Sequence, residues 1–439
     1  METRPPPKLV IWLYRLLLPV AALFSAPYYL RRMLRRGGYG KDLRKRFGLW
    51  PRLPKQKPGS RRIWIQAVSV GELSSIATLL HYLTEVDNLE IVLSGTTSTG
   101  LKLAAERHGS RVLAHGPFPL DWLPFSALAW RRIRPDLIAM VDSELWPEHL
   151  RQARRRNIPA VILNARLSNR SHARLARAGL FRSLLLPPNL NVFASSEKQR
   201  ERWLEVGALK QQTLATGNLK FDSASLSLPD AEERNALLDE FGFPSDSLVI
   251  AGISTWPGEE KALLDALRAA HEANIPASLL LIPRHAERRN ELRSLLSQAS
   301  DLTHHFRSDK RQAPGDTSAY IADTTGELTK LIRCADLAFV GKTLHPHHGG
   351  QNPAEPAAIA LPLLIGPNYQ NFTEACESLL QTEAAELVPD SDSLRQTVLR
   401  LLRSPEERSR TGQAARKWAK AHDGAASRTL QAIRDLLPT

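Results

Sequence analysis

The feature that most constrains the fold is a repeated pattern in which a short apolar run is followed by a polar turn and an amphipathic segment. The pattern begins at Ile63 and recurs until Gly217, and a second series begins at Ser247. Apolar strands that alternate with helices at this spacing are typical of parallel sheets covered by helices on both faces. The sequence therefore predicts an α/β protein with two doubly wound, Rossmann-like domains that face a cleft.

The predicted domain limits follow from the interruptions of this pattern. Residues 1–54 form an N-terminal segment, residues 55–222 a first domain, and residues 223–439 a second domain whose last helix can pack back on the first. A length of 439 residues suits two or three domains. The two cysteines, Cys334 and Cys376, are isolated in sequence and form no CxxC pattern, which favours a reducing, cytoplasmic setting.

The stretch from Phe339 to Phe372 carries a candidate ligand site of the second domain. It reads strand, Gly- and His-rich loop, helix and strand, with Asn352 as the helix cap and Pro353 in the first helical position. The Gly349–Gly350 pair would let backbone approach a ligand, and free N–H groups at a helix start attract phosphate. Two interpretations stay open, which are an anion site and a tight strand-to-helix turn without a ligand.

The N-terminal stretch Leu9 to Leu30 is the only one apolar and long enough to enter or cross a bilayer, which takes about 20 residues. Arg15 interrupts it near one end, where its side chain could reach the interface. A block of basic residues follows, namely Arg31, Arg32, Arg35, Arg36, Lys41, Arg44, Lys45 and Arg46. The alternative is a cleaved signal peptide, but such a block opposes translocation. We therefore predict an uncleaved anchor, spanning or interfacial, with the remaining chain cytoplasmic.

Three motif-like stretches do not support a metal or nucleoside triphosphate site. The segment 94–102 has the glycine spacing of a P-loop, but Leu101 stands where a lysine is required. The DxD pattern at 390–392 precedes a helical segment, and Asp392 is interpreted as its cap. The three histidines within 345–348 are too close together for zinc ligands and are interpreted as solvent-facing loop residues. We predict no metal site.

Ionisable residues follow the predicted strands in both domains. Glu72 and Glu144 lie at strand ends of the first domain, where a partly shielded carboxylate can have a raised pKa and act as a base. The alternative for Glu72 is an acid that merely stabilises a helix start. In the second domain, Arg284 and His285 follow a strand and would offer donors to a phosphate, or Arg284 would simply pair with Glu287.

Seven stretches together resemble one family, the 3-deoxy-D-manno-octulosonic acid (Kdo) transferases of lipopolysaccharide synthesis. They are AVSVGE, SELWP, NARLS, TGNLKFD, STWPGEE, PRH and GGQNPAEPAA, and their combination and order cover essentially the whole chain. The resemblance implies a GT-B glycosyltransferase that moves Kdo from CMP-Kdo to a lipid A precursor, lipid IVA, with inversion and without a catalytic metal or cofactor. It also implies a place on the cytoplasmic face of the inner membrane.

The resemblance assigns roles to individual positions. Glu72 matches the general base, which takes the proton of the acceptor hydroxyl, and Glu144 matches a second essential carboxylate. Arg284 matches the arginine that holds the CMP phosphate. The remaining positions implied for donor binding are His285, Gly341, Lys342, Thr343, Asn352 and Glu355. Those implied for the acceptor or the cleft are Ser69, Gly71, Asn164 and Lys220.

Three positions depart from the family pattern. Lys342 stands where a GGS sequence usually places its second glycine, Gln351 stands where GGHN has histidine, and Trp256 replaces a common histidine. Lys342 would either add a cation near the phosphate or obstruct the close approach that a glycine permits.

Two other functions are compatible with parts of the sequence. A transferase of the same architecture could use a UDP-sugar. The formal net charge of +14 would suit a membrane-tethered nucleic-acid-binding protein, but eight of the basic residues cluster beside the anchor and no known nucleic-acid-binding module is present. We therefore predict CMP-Kdo, a lipid A precursor and an anionic membrane surface as partners, and no nucleic acid.

Overall fold

The structure, a computed structural model, describes residues 8–35, 38, 40–222, 227–309 and 312–437. Arg36 and positions 223–226 of the predicted linker lie outside the described residues, as do the side chains of Arg32, Arg35 and Lys41. The chain divides into two compact units, the first comprising Met1–Asp222 with Gly424–Thr439 and the second Ser223–Asp423.

Unit 1 contains a parallel sheet of seven strands in the order β3-β2-β1-β4-β5-β6-β7. The strands are β1 (Arg61–Gln66), β2 (Leu89–Gly95), β3 (Ala114–Pro117), β4 (Leu137–Val141), β5 (Ala160–Ala165), β6 (Leu190–Ala194) and β7 (Thr213–Ala215). The helices before and between them are α1 (Lys8–Arg35), α2 (Leu43–Arg46), α3 (Val70–Ser75), α4 (Ala77–Thr84), α5 (Ser98–His108), α6 (Leu123–Ile133), α7 (Pro147–Arg155), α8 (Asn169–Ala176), α9 (Arg182–Leu185) and α10 (Glu197–Glu205).

Side chains alternate between the two faces along each strand, and both faces of this sheet are buried by apolar clusters. On β1, Ile63 and Ile65 enter one apolar cluster and Trp64 enters the cluster on the other face. Trp64 packs against Trp130 with ring centroids 5.8 Å apart. The prediction of a parallel sheet covered on both faces is confirmed.

Unit 2 repeats this architecture with strand order β10-β11-β9-β8-β12-β13-β14, again with all pairs parallel. Its strands are β8 (Leu248–Thr255), β9 (Ala277–Pro283), β10 (His304–Phe306), β11 (Ala319–Ile321), β12 (Leu337–Val340), β13 (Leu363–Ile365) and β14 (Ala385–Leu387). Its helices are α11 (Ala231–Phe241), α12 (Glu259–Glu272), α13 (Arg289–Ser297), α14 (Leu328–Leu331), α15 (Ala354–Ala358), α16 (Thr373–Gln381), α17 (Ser391–Arg403) and α18 (Pro405–Ala421). The predicted strand–helix–strand unit after Ala335 is β12, α15 and β13.

The last helix, α19 (Ala425–Leu436), belongs to unit 1. The Asp222 carboxylate accepts the backbone N–H groups of Gly424 and Ala426 at 2.9 and 2.6 Å and so holds the start of this segment. Ala425 and Ile433 then pack into the same apolar cluster as Ile63.

Helix α1 is held on unit 1 by polar contacts as well as apolar ones. Arg15 donates twice to the fully buried Glu148, each time at 3.0 Å, and its own side chain is only 8% exposed. Tyr14 donates its hydroxyl to Asp121 at 2.6 Å, and Ile11 packs against Leu184. The expectation that Arg15 reaches a membrane interface is therefore wrong, since Arg15 is an internal ion-pair partner. None of the described helices combines the length and apolarity needed to cross a membrane.

Candidate functional site

Glu72 lies at the carboxyl edge of the unit 1 sheet, in the first turn of α3. Ser69 caps this helix by accepting the Glu72 backbone N–H at 3.4 Å. The Glu72 carboxylate turns back to accept the Val68 N–H at 2.7 Å and the Ser69 hydroxyl at 3.3 Å. It is therefore both a helix-start acid and a fixed carboxylate, so the two interpretations of the sequence are compatible.

The environment of Glu72 raises its pKa to about 7. Burial is the largest cause, because it penalises the charged form, and the negative charges of Glu144 and Asp142 act in the same direction. The hydrogen bonds from Val68 and Ser69 oppose the shift. A carboxylate with a pKa near neutrality is suited to accept a proton during a reaction.

Two further carboxylates follow β4. Burial is the largest cause of a raised Glu144 pKa, and the negative charge of Asp142 acts in the same direction. Asp142 has a positive φ of 62° and pairs with Arg166 at 2.9 Å. Sequence reasoning missed Asp142 and Arg166. Arg166 lies inside the NARLS motif, and Asp142 directly precedes SELWP, where the strand-exit rule that selected Glu144 applies equally.

The other unit 1 candidates take different positions. Asn164, a position implied for the acceptor or the cleft, is fully buried and joins Asp142 to the Leu219 backbone through bonds of 3.0 and 3.1 Å. Lys220 is partly buried, which lowers its pKa, as does Arg166, while Asp142 and Glu72 oppose the shift. Gly71 is exposed, and a Cβ there would meet only the Ser69 hydroxyl at 3.9 Å.

In unit 2, Arg284 and His285 are exposed at the end of β9. No carboxylate lies within 4.0 Å of the Arg284 guanidinium in the described part of the chain, so the alternative pairing with Glu287 is not formed. Burial raises the pKa of Glu355, and the positive charge of Arg284 opposes this shift. Arg284 therefore offers its donors to solvent or to a ligand.

The expected helix start in unit 2 is shifted and short. The Asn352 side chain accepts the Ala354 N–H at 3.1 Å, and α15 comprises only five residues beginning at Ala354. The N–H groups of Gly349 and Gly350 are already bonded to Asn368 and Lys342 carbonyl oxygens, each at 3.0 Å. The N–H groups of the glycine pair are therefore occupied within the protein, and the helix is too short to offer an extended dipole.

The loop after β12 is held by a buried carboxylate. Glu259, which is 1% exposed, accepts the N–H groups of Lys342, Thr343 and Leu344 at 2.8, 2.9 and 3.1 Å. Gly341 is required there, because a Cβ would lie 2.4 Å from the Ser254 carbonyl oxygen.

Thr343 links two strand ends rather than facing a ligand. Its fully buried hydroxyl donates to the Val340 carbonyl at 2.6 Å and accepts the Gly366 N–H at 2.9 Å. The hydroxyl of Thr343, a position implied for donor binding, is thus engaged within the protein.

Two local interpretations of the sequence need correction. Asp390, not Asp392, caps α17, because its extended backbone lets the carboxylate accept the Ser393 N–H at 2.8 Å. His345 and His348 are exposed, as expected, whereas His347 is only partly exposed and packs against Trp256 at 5.4 Å between centroids. The described residues contain no group of three or more His, Cys, Asp or Glu side chains able to hold a metal ion.

Two doubly wound parallel-sheet units in one chain, each with ionisable side chains after its strands, define an α/β protein of the two-domain GT-B class. UDP-N-acetylglucosamine 2-epimerase from Neisseria meningitidis, solved with UDP-GlcNAc, has a similar fold with a TM-score of 0.57 and 13% identity. The match covers 85% of this chain and 100% of that one.

Sequence comparison identifies the family. The model described as 3-deoxy-D-manno-octulosonic-acid transferase (kdotransferase) matches residues 41–223. A 3-deoxy-D-manno-octulosonic acid transferase from Bordetella pertussis is 34% identical, with 87% of this chain and 88% of that protein covered. One from Haemophilus influenzae is 31% identical, with 91% and 92% covered. The chain belongs to the 3-deoxy-D-manno-octulosonic acid transferase family of glycosyltransferases, as the sequence motifs predicted.

Proposed function

We propose that the protein transfers Kdo from CMP-Kdo to a lipid A precursor, lipid IVA, during lipopolysaccharide synthesis. Family membership and the seven motifs support the class of reaction. The observation that carries the chemistry is Glu72, a fixed carboxylate at a strand end whose pKa is raised to about 7.

In the proposed reaction, Glu72 is the general base. The acceptor hydroxyl oxygen attacks the anomeric carbon of Kdo, its proton passes to the Glu72 carboxylate, and the bond from the anomeric carbon to the phosphate oxygen breaks. CMP leaves with that electron pair, and the configuration inverts because attack and departure take place on opposite faces. Asp142 and Glu144 keep the Glu72 pKa high through their negative charges. Ser69 and Gly71 shape the acceptor side.

The donor would be held chiefly by side chains of unit 2. Arg284 supplies positive charge to the phosphate as it departs, and a cation placed there in advance stabilises the developing charge. Lys342 adds a second positive charge to the donor site. His285 and Asn352 add polar groups, and the Glu355 carboxylate suits the ribose hydroxyls. Gly341 and Thr343 shape the loop that presents these residues. As the family resemblance implies, the reaction as proposed requires neither a metal nor a cofactor.

The exposed face of α1 supports a proposed location on the cytoplasmic face of the inner membrane. Large apolar side chains on this face are 49% to 81% exposed, and they are Leu9, Trp12, Leu16, Leu17, Val20, Leu23 and Phe24. The formal net charge of +14 would attract an anionic lipid surface. Flotation with anionic vesicles tests this: a variant with Leu16 and Phe24 changed to Ser should float poorly, whereas unchanged flotation of that variant would contradict the proposed contact.

The test of the reaction is a mass measurement of the lipid product after incubation of the purified protein with CMP-Kdo and lipid IVA. Addition of Kdo with release of CMP is the expected result. Absence of both products with the wild-type chain would refute the proposal, and transfer from a UDP-sugar instead would favour the alternative donor class. A Glu72→Ala variant that keeps the full rate would refute the assigned base.

A further inference from the structure

Trp256 and Lys342 are in direct contact in the structure. The Lys342 ammonium nitrogen lies 4.4 Å from the centroid of the Trp256 ring, within the range of a cation–π interaction. Trp256 follows β8 and Lys342 follows β12, so the contact joins two neighbouring strand ends of unit 2. The two side chains therefore form a contact pair across these strand ends.

The backbone beneath this pair is fixed by one carboxylate oxygen. Glu259 Oε2 accepts the N–H groups of both Trp256 and Lys342, at 2.9 and 2.8 Å. The Trp256 ring is flanked on other sides by His285 and His347, with centroids 5.3 and 5.4 Å away. Trp256 is therefore surrounded by three nitrogen-bearing side chains, those of Lys342, His285 and His347.

Lys342 has a cationic group but no ion-pair partner in the described part of the chain, where no carboxylate lies within 4.0 Å of its ammonium. Its φ of 62° is a backbone conformation that favours glycine and that side-chain-bearing residues rarely adopt. The backbone N–H groups from Gly341 to Leu344 are all bonded within the protein. An anion that approaches this loop must therefore be bound by side chains.

We propose that Lys342 and Trp256 form an anion-recognition element of the donor site. The Lys342 ammonium contacts an oxyanion of the donor, and Trp256 is a positioning residue that orients this ammonium. The shared chemistry is a negatively charged oxygen, supplied by either the phosphate or the sugar carboxylate of CMP-Kdo. This inference rests on the proposed function, because it takes CMP-Kdo as the donor.

The experiment measures the dissociation constants of CMP-Kdo and of CMP by calorimetry without an acceptor, so that binding is separated from transfer. Lys342→Met and Lys342→Gly should each weaken CMP-Kdo binding by roughly tenfold or more, the range of a lost charged hydrogen bond. Lys342→Gly also removes the unfavourable φ, so an equal or higher melting temperature with weaker binding excludes misfolding as the cause. Lys342→Arg should retain most of the affinity, and Lys330→Met, which removes an exposed lysine of the same unit, should change nothing.

The two sources of the anion give different results. Equal weakening of CMP and CMP-Kdo identifies the phosphate, and weakening of CMP-Kdo alone identifies the carboxylate. CMP-Kdo binding within twofold of wild type in both Lys342→Met and Lys342→Gly overturns the proposal.

The role of Trp256 is tested by a double-mutant cycle. Trp256→Leu should weaken CMP-Kdo binding in the wild-type background and have little effect when Lys342 is already Met. Losses that multiply independently overturn the positioning role. Wild-type binding without transfer would refute only the proposed reaction, whereas no CMP-Kdo binding by the wild type would refute both.

Discussion

The raised pKa of Glu72 predicts a pH dependence that an ordinary carboxyl would not show. With a pKa of about 7, against a usual value of 4.5, the base is ionised to about one tenth at one pH unit below the pKa and about nine tenths one unit above. Since only the carboxylate accepts a proton, kcat/KM for Kdo transfer should rise roughly tenfold per unit below pH 7 and level off above it. A Glu72 with a pKa of 4.5 would give a flat profile over the same interval.

The assay is the initial rate of CMP release between pH 5.5 and 8.5, at subsaturating CMP-Kdo and fixed lipid concentration. Glu72→Gln should lower the rate by roughly 10²–10⁴ and abolish the acidic limb. Asp142→Asn removes one of the negative charges that raise the Glu72 pKa, so the rising part of the pH profile of this variant should move to lower pH. The residual profile of Glu72→Gln also reports any titration of the acceptor phosphates. A wild-type profile that is flat, or a limb unchanged in Glu72→Gln, would refute the reasoning.

The same shift has a consequence for stability. Folded Glu72 binds its proton more tightly than the unfolded chain does, so its contribution favours the folded state below the usual carboxyl pKa and is lost as pH rises towards 7. The melting temperature of Glu72→Gln relative to wild type should therefore be higher at pH 8 than at pH 5. A difference independent of pH would contradict the raised pKa.

Three further predictions concern the supports of the two units. Glu148→Gln leaves Arg15 buried without its carboxylate and should lower the free energy of unfolding by roughly 3–5 kcal/mol, measured by urea unfolding with tryptophan fluorescence. Replacing both residues by Leu should restore much of this free energy. Equal losses in the two variants would argue against a buried ion pair. Gly341→Ala places a Cβ 2.4 Å from a carbonyl oxygen and should lower the stability of unit 2 by roughly 1–3 kcal/mol, while an unchanged melting temperature would show that the loop can yield. Glu259→Gln turns an amide NH₂ towards backbone donors and should lower the free energy of unfolding by at least about 2 kcal/mol, with faster hydrogen exchange of the Lys342 amide. Unaltered exchange would contradict the role of Glu259 in holding this loop.

Features that depend on neighbouring residues in sequence were predictable. The apolar run before Gly341 and the one ending at Ile365 are strands β12 and β13, because a buried parallel strand leaves a continuous apolar run. Ser404 caps α18 with Pro405 in the first helical position, since that cap is made within one helical turn. The cap of α17 was misplaced by two residues, because the extended conformation of Asp390 that permits capping is not visible in the sequence.

The sequence by itself determined the α/β class, the succession of strands and helices, the candidate base Glu72 and the family, because periodicity, caps and ordered motifs are local. Only the tertiary structure decided which distant side chains meet. Glu148 lies 133 positions from Arg15, and Lys342 is bonded to Glu259 across 83 positions. Such pairings depend on strand order and loop conformation, which the local pattern does not encode, and they set the burial that raises the Glu72 pKa and places the Lys342 ammonium over Trp256.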